Sequence, residues 1–271
     1  WNAFVAAICG NTVVWKGAPQ TPLCTLAVQQ ICNEVMIKNN LPGVFTCWTT
    51  NDNQLAQRMV EDNRISLLSF TGSSHVGTKV AQTVASRMGK YLLECSGNNA
   101  IIVEKDADLK LAIPAIVFGA TGTAGQRCTT TRRLFLHESI ADNVIAKLTN
   151  AYAKVTIGDP LDQSNLMGPL IDEASVSNFL QAITDAKKQG GDVLFGGNRI
   201  DRPGFFVEPT LIRAQNHWDV VQRETFAPIL YVMTYTDLED AITQQNNVQQ
   251  GLSSALFTRS LQASERFLAC T

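Results

Sequence analysis

The chain has 271 residues, enough for one large domain or two modest ones, and 45% hydrophobic with 17% charged residues is the balance of a folded protein, neither disordered nor fibrous. Its 22 Lys and Arg against 24 Asp and Glu give a net charge of −2, so no basic field exists to hold nucleic acid through its phosphates. The uncharged stretch Leu111 to Gln126 is too short to span a bilayer and is broken by Pro114, Gly119, Gly122 and Gly125.

From the start to about residue 96, short β-branched runs alternate with amphipathic stretches, the pattern of βαβ units and a parallel sheet. Thr12 to Lys16 reads as a strand, and Thr21 to Lys38 as a helix with Thr21 as cap and Pro22 just inside. A strand from Gly43 to Thr49, a helix from Gln54 to Glu61, a strand from Arg64 to Phe70 and a helix from Ser73 to Met88 follow. A second block holds strands at Asn99 to Val103 and Arg133 to Leu136, with a helix at Leu109 to Phe118 between them. Helices at Ser139 to Val155 and Glu173 to Lys188 come next, then strand-like runs at Asp192 to Phe195 and Ile229 to Met233. Leu261 to Leu268 reads as a last helix. With no initiator Met before Trp1 and a stop at Thr271 inside what reads as that helix, the chain is expected to be an internal fragment, truncated at both ends.

Seven cysteines without a C-x-x-C pair, most of them in apolar runs, suggest reduced and buried thiols in a cytoplasmic or mitochondrial protein. No metal site is expected, because the three histidines lie far apart and lack partners at ligand spacing.

Three segments could carry chemistry. In Ser69-Phe-Thr-Gly-Ser-Ser-His-Val-Gly77 an apolar strand runs into Gly72 and Ser73 and then a helix. Free amides and the helix dipole make such a start an anion site, although the same pattern serves an ordinary cap. Glu94 ends an apolar strand beside Gly97. Partial desolvation there would raise its pKa towards the range of a general base, whereas the bland alternative is a strand-end acid in solvent. Cys128 lies in a Gly-rich loop between Arg127 and the pair Arg132-Arg133, and positive charge nearby favours the nucleophilic thiolate.

Phe70-Thr-Gly-Ser-x-x-x-Gly77, Leu93-Glu94-x-x-Gly97, Gly125-Gln-x-Cys128 and Glu224-x-Phe226-x-Pro228 occur in the order and approximate spacing of the aldehyde dehydrogenase superfamily, and the resemblance covers the whole chain. Asn98-Asn-Ala-Ile-Ile, Gly125-Gln-Arg-Cys-Thr-Thr-x-Arg-Arg and Glu224-Thr-Phe-Ala-Pro-Ile-Leu-Tyr look more narrowly like the antiquitin group of α-aminoadipic semialdehyde dehydrogenases. The resemblance implies an α/β fold: a partial Rossmann-like NAD-binding domain over residues 1–96 and a catalytic α/β domain over 97–271. It implies that Cys128 attacks an aldehyde and carries the thioester, and that Glu94 activates the hydrolytic water. Lys16, Gly72 and Ser73, Glu224 and Phe226 match cofactor-binding positions for NAD, with NADP left open. Arg127 is expected to pair with a carboxylate at the far end of a semialdehyde, or else to tune the thiol or face a neighbouring loop. The implied partners are a small aldehyde and further copies of the chain, with no nucleic acid and no membrane.

Some residues depart from the family pattern. The oxyanion-hole asparagine is expected about two helical turns upstream of Trp1, and Asn2 lies too close to Lys16 to inherit that role. Cys95-Ser96 replaces the usual Leu-Gly after Glu94, Thr49 to Gln54 replaces a Gly-bearing loop, and Pro19 stands where many relatives have Glu. These changes leave room for an alternative, a weakened or inactive paralogue serving as a structural subunit. A thiol hydrolase built on Cys128 is disfavoured, since no histidine sits in a motif suggesting an imidazole partner.

Overall fold

A computed structural model describes residues 2–41 and 43–269, so Trp1, Thr271 and one of the seven cysteines, Cys270, lie outside the described residues. The chain divides into two compact units, residues 1–95 and 96–271.

In the first unit the order is α1 (Asn2–Ile8), β1 (Val13–Lys16), α2 (Pro22–Lys38), β2 (Phe45–Trp48), α3 (Asn53–Glu61), β3 (Leu67–Thr71), α4 (Ser74–Ser86) and β4 (Lys90–Glu94). Local chemistry sets the helix starts. Pro22 occupies the first turn of α2, where its missing N–H leaves nothing unpaired. Asp52 accepts the Gln54 amide at 2.7 Å ahead of α3, and Ser73 Oγ accepts the Val76 amide at 3.3 Å ahead of α4. The alternating pattern leads one to expect a single parallel sheet; the structure instead forms two separate parallel pairs, β1–β2 and β3–β4. Residue alternation specifies a strand but not its neighbour, so the pairing was not encoded in that signal. Leu68, Val80 and Val84 form the buried apolar centre of this unit, while α2 leaves Leu23, Ile31, Val35 and Ile37 exposed.

The second unit contains β5 (Asn99–Val103), α5 (Leu109–Thr121), β6 (Thr131–His137), α6 (Glu138–Tyr152), α7 (Glu173–Lys188), β7 (Asp192–Phe195), β8 (Thr210–Arg213), α8 (Asp219–Gln222), β9 (Ile229–Tyr235), α9 (Leu238–Asn246), β10 (Ser254–Phe257) and α10 (Leu261–Leu268). Its six strands run in the order β10-β5-β6-β9-β8-β7, parallel except for β7, which is antiparallel to β8 at the edge. The inner strands are apolar on both faces, as strands covered on both sides must be. Leu134, Leu136, Leu230 and Val232 pack with Ile116 and Leu148 on one face, and Phe135, Tyr231, Met233 and Ile212 with Phe179 on the other.

The β5–β6 ladder is irregular where the candidate chemistry lies. Asn99 pairs with Thr131 and Ala100 with Arg133, so Arg132 is an extra residue in β6. Such a bulge turns a side chain away from strict alternation, and here it lets two consecutive arginines both enter the interior.

The cysteines correct the reading above: Cys9 and Cys24 are exposed, Cys32, Cys47, Cys95 and Cys128 are half-buried, and none of these six is disulfide-bonded. An apolar neighbourhood in sequence does not secure burial when the helix bearing it, as α2 does, leaves much of its apolar surface open. Among the described residues no helix is long and apolar enough to cross a membrane, and no group of three His, Cys, Asp or Glu side chains is placed to hold a metal ion.

Candidate active site

In the first unit, β3 runs into Gly72, whose amide donates to the Glu94 carbonyl at 3.0 Å, and Ser73 then caps α4. The strand-turn-helix read from the sequence therefore stands, with the positive end of the α4 dipole beside Gly72 and Ser73. A Cβ on Gly72 would lie 2.6 Å from the Phe70 ring, so a larger residue there would have to displace that ring. Lys16 ends β1 half-buried, its Nζ donating to the Gly17 carbonyl at 2.8 Å. Glu94 ends β4 and is exposed, so of the two readings of this carboxylate the strand-end acid in solvent is the one found. Its neighbour Cys95 is the more enclosed, and burial, with the Glu94 charge second, pushes that thiol up.

In the second unit Cys128 sits on a loop fixed by its backbone. Asn99, 2% exposed, donates through Nδ2 to the carbonyls of Cys128 at 2.7 Å and Thr130 at 2.8 Å. Gln126 donates to the Pro169 carbonyl at 3.2 Å and accepts the Ile171 amide at 2.9 Å, tying the loop to the approach to α7. Ahead of the cysteine, Thr123, Ala124 and Gly125 take φ of 54°, 52° and 69° in succession. Two non-glycine residues in the left-handed region are a local strain that the surrounding bonds must hold. A Cβ on Gly125 would overlap the Ala227 backbone, so the cysteine loop and the Glu224–Pro228 segment are in direct contact.

Glu224 Oε1 accepts the Gly97 amide at 3.1 Å and Arg132 Nη2 at 3.0 Å. Arg132, 2% exposed, also donates Nε to the Gly97 carbonyl at 3.1 Å, Nη1 to the carbonyls of Thr225 at 2.7 Å and Gly125 at 3.4 Å, and Nη2 to the Arg127 carbonyl at 3.0 Å. Its guanidinium lies 5.4 Å from the centre of the half-exposed Phe226 ring. Burial pulls the Arg132 pKa down, and the Glu224 carboxylate opposes that.

Arg133, in contrast, does not serve the thiol. It donates to the carbonyls of Asn98, Gln244 and Gln245 and to Asn216 Oδ1, and burial lowers its pKa to about 10. The sequence expectation of an arginine pair polarising Cys128 is thus corrected for this member, because the bulge sends the two side chains to different partners. Arg127 folds back over Phe118, with 5.0 Å from guanidinium to ring centre and 3.3 Å from Nη2 to the Phe118 carbonyl; its buried Nε has no protein partner. Asn2 donates to Ser69 Oγ at 2.7 Å from within α1.

Sequence reasoning did not single out Asn99 or the hub role of Arg132. The available signal was two adjacent arginines entering the apolar run Leu134-Phe-Leu: buried charges must be paired, so each required a set of acceptors.

Residues 1–270 match the model of the aldehyde dehydrogenase family. The chain belongs to that family. It is 52% identical over 258 residues to aldehyde dehydrogenase family 7 member A1 of Malus domestica, covering 95% of this chain and 51% of that protein. It is 49% identical over 262 residues to the α-aminoadipic semialdehyde dehydrogenase of Bos taurus, covering 96% and 49%. The chain therefore spans about half the length of the curated relatives it matches. Among solved structures, lactaldehyde dehydrogenase from Escherichia coli superposes with a TM-score of 0.91 at 31% identity, covering 96% of this chain and 54% of that one. Betaine aldehyde dehydrogenase from Staphylococcus aureus, solved in complex with NAD+, gives 0.89 at 28%, covering 94% and 52%.

Proposed function

We propose that this chain carries the nucleophile, the base and cofactor-binding residues of an NAD-dependent aldehyde dehydrogenase acting on a semialdehyde such as aminoadipate semialdehyde. The observation that carries this reading is Cys128, a half-buried thiol on a loop whose backbone is gripped by buried Asn99 and Arg132. A nucleophile held on a fixed backbone loses little freedom on reaching an aldehyde carbon.

In this reading the Cys128 thiolate adds to the aldehyde carbon and retains the acyl group as a thioester after the C–H hydride has left. Glu94 takes a proton from the water that cleaves the thioester, releasing the carboxylic acid and the free thiol. Bound nicotinamide supplies the hydride acceptor. The residues present suit a dinucleotide: Ser73 and Gly72 lie at a helix N-terminus suited to a pyrophosphate, and Lys16 offers an ammonium for the adenosine ribose. Glu224 has both of its bonds on Oε1, which leaves Oε2 as an acceptor for a ribose hydroxyl, and the half-exposed Phe226 offers a face to the ring. Arg127 pairs with the distal carboxylate of the semialdehyde. Assembly with further copies of the chain belongs to the same reading.

The test is NADH formation by the full-length protein with aminoadipate semialdehyde, alongside Cys128→Ala. A thioester burst in the parent and none in the variant is expected; a parent with neither cofactor binding nor a burst refutes the reading. Arg127→Ala should raise KM for a carboxylated aldehyde far more than for a plain alkyl one, and equal effects would remove Arg127 from the substrate site.

A further inference from the structure

A buried guanidinium is expensive unless its donors are matched, and an apolar side chain of similar volume would usually serve stability as well. Arg132 is nevertheless 2% exposed, with its donors spread over three segments far apart in sequence: Gly97, the loop residues Gly125 and Arg127, and Glu224 with Thr225. The bulge in β6 is what brings the side chain to this junction. Two consequences follow from the geometry. The Arg127 carbonyl is held one residue before the thiol, so Arg132 fixes the backbone that delivers Cys128. On the other side, Arg132 and the Gly97 amide both occupy Glu224 Oε1, which fixes the rotation of that carboxylate.

We propose that Arg132 is a positioning residue that couples the two halves of the site, setting the Glu224 carboxylate for a ribose hydroxyl while holding the Cys128 loop in register with it. A planar fork with several fixed donors can bridge these segments at once. A lysine ammonium is a point charge and cannot. This rests on the reading of the chain as an NAD-dependent dehydrogenase.

The experiment uses the full-length protein with Arg132→Lys, Arg132→Met and Glu224→Gln. Three quantities are read: NAD+ affinity by titration calorimetry, kcat per titrated thiol, and the rate of Cys128 alkylation by iodoacetamide without cofactor. Arg132→Lys is expected to fold, to lose about tenfold or more in kcat per thiol and to bind NAD+ several-fold more weakly. Glu224→Gln, remote in sequence from the thiol, is expected to change the alkylation rate several-fold because it loosens Arg132. The weakening of NAD+ binding by Glu224→Gln should largely vanish in the Arg132→Met background. Unchanged alkylation in Glu224→Gln overturns the coupling, as does a loss in Arg132→Lys that scales only with the unfolded fraction. If neither arginine variant folds, the alkylation rate of Glu224→Gln still decides. If the parent forms no NADH, the dehydrogenase reading fails separately, and the alkylation measurements still decide whether Arg132 couples Glu224 to the thiol loop.

Discussion

Asn99 Nδ2 donates to the Cys128 carbonyl at 2.7 Å, and the same amide group bonds the Thr130 carbonyl while Oδ1 accepts the amides of Leu252 and Ser253. One buried side chain thereby joins the thiol loop to the segment entering β10. Asn99→Ala should destabilise the fold on the order of 1–3 kcal/mol for each group left buried and unpaired. The urea unfolding midpoint checks it, and a midpoint equal to the parent's would show that water replaces the amide without loss.

Gly97 is required for space rather than for conformation. A Cβ there would overlap the Cys128 carbonyl oxygen, whereas Gly10, at φ +80°, has nothing near its position. Gly97→Ala should displace the thiol loop, cost about 1–3 kcal/mol or more and change Cys128 alkylation. Gly10→Ala should cost about 1–2 kcal/mol through its left-handed backbone alone and leave alkylation untouched. Thermal melts and thiol labelling of the pair separate the two effects; matching behaviour would contradict the contact.

The departure at Cys95 has a partner on the helix opposite. A Cβ on Gly77 of α4 would sit 2.5 Å from Cys95 Sγ. Gly77→Ala is therefore expected to destabilise by about 1–3 kcal/mol, and Cys95→Ala in the same chain to recover most of that by removing the sulfur. Additive losses in a double-mutant cycle would show that the two side chains do not meet.

Three of the four tyrosines should resist titration in the folded protein. Burial pushes Tyr152 and Tyr231 well above the ordinary phenol range, and Tyr235 is raised by burial first and then by its bond to Glu104 at 2.7 Å. Because the folded values are raised, the stability they carry is fully present below the unfolded value of about 10 and is lost as pH rises above it. Ultraviolet titration and circular dichroism should accordingly change together in alkali. Reversible ionisation of all four tyrosines at unchanged dichroism would contradict this.

The strands and helices were legible where a local signal existed: Pro22 at the start of α2, Ser73 at the start of α4, and the apolar runs that became β5, β6 and β9. The short elements β8, α8 and β10 carry few residues each, and tertiary packing rather than pattern defines them. Of the site, Cys128 and Ser73 stood out by composition and Glu224 only by resemblance. The apolar run after Arg132 hinted at its burial, but which segments its donors would join depends on surfaces that meet only in the fold, and no window of sequence contains that information.

The additional residue in β6 makes the address of the thiol a matter of arithmetic as well as chemistry. Thr131 faces Asn99 and Arg133 faces Ala100, leaving Arg132 uncounted by the ladder. Deleting Arg132 itself would let the strands zip regularly with Thr131 still facing Asn99, whereas deleting a residue between Cys128 and Thr131 would shorten the tether that carries the thiol to the strand. Length between the thiol and Thr131 is thus constrained alongside the identity of Arg132, so a one-residue deletion there should disturb Cys128 alkylation even with Arg132 kept.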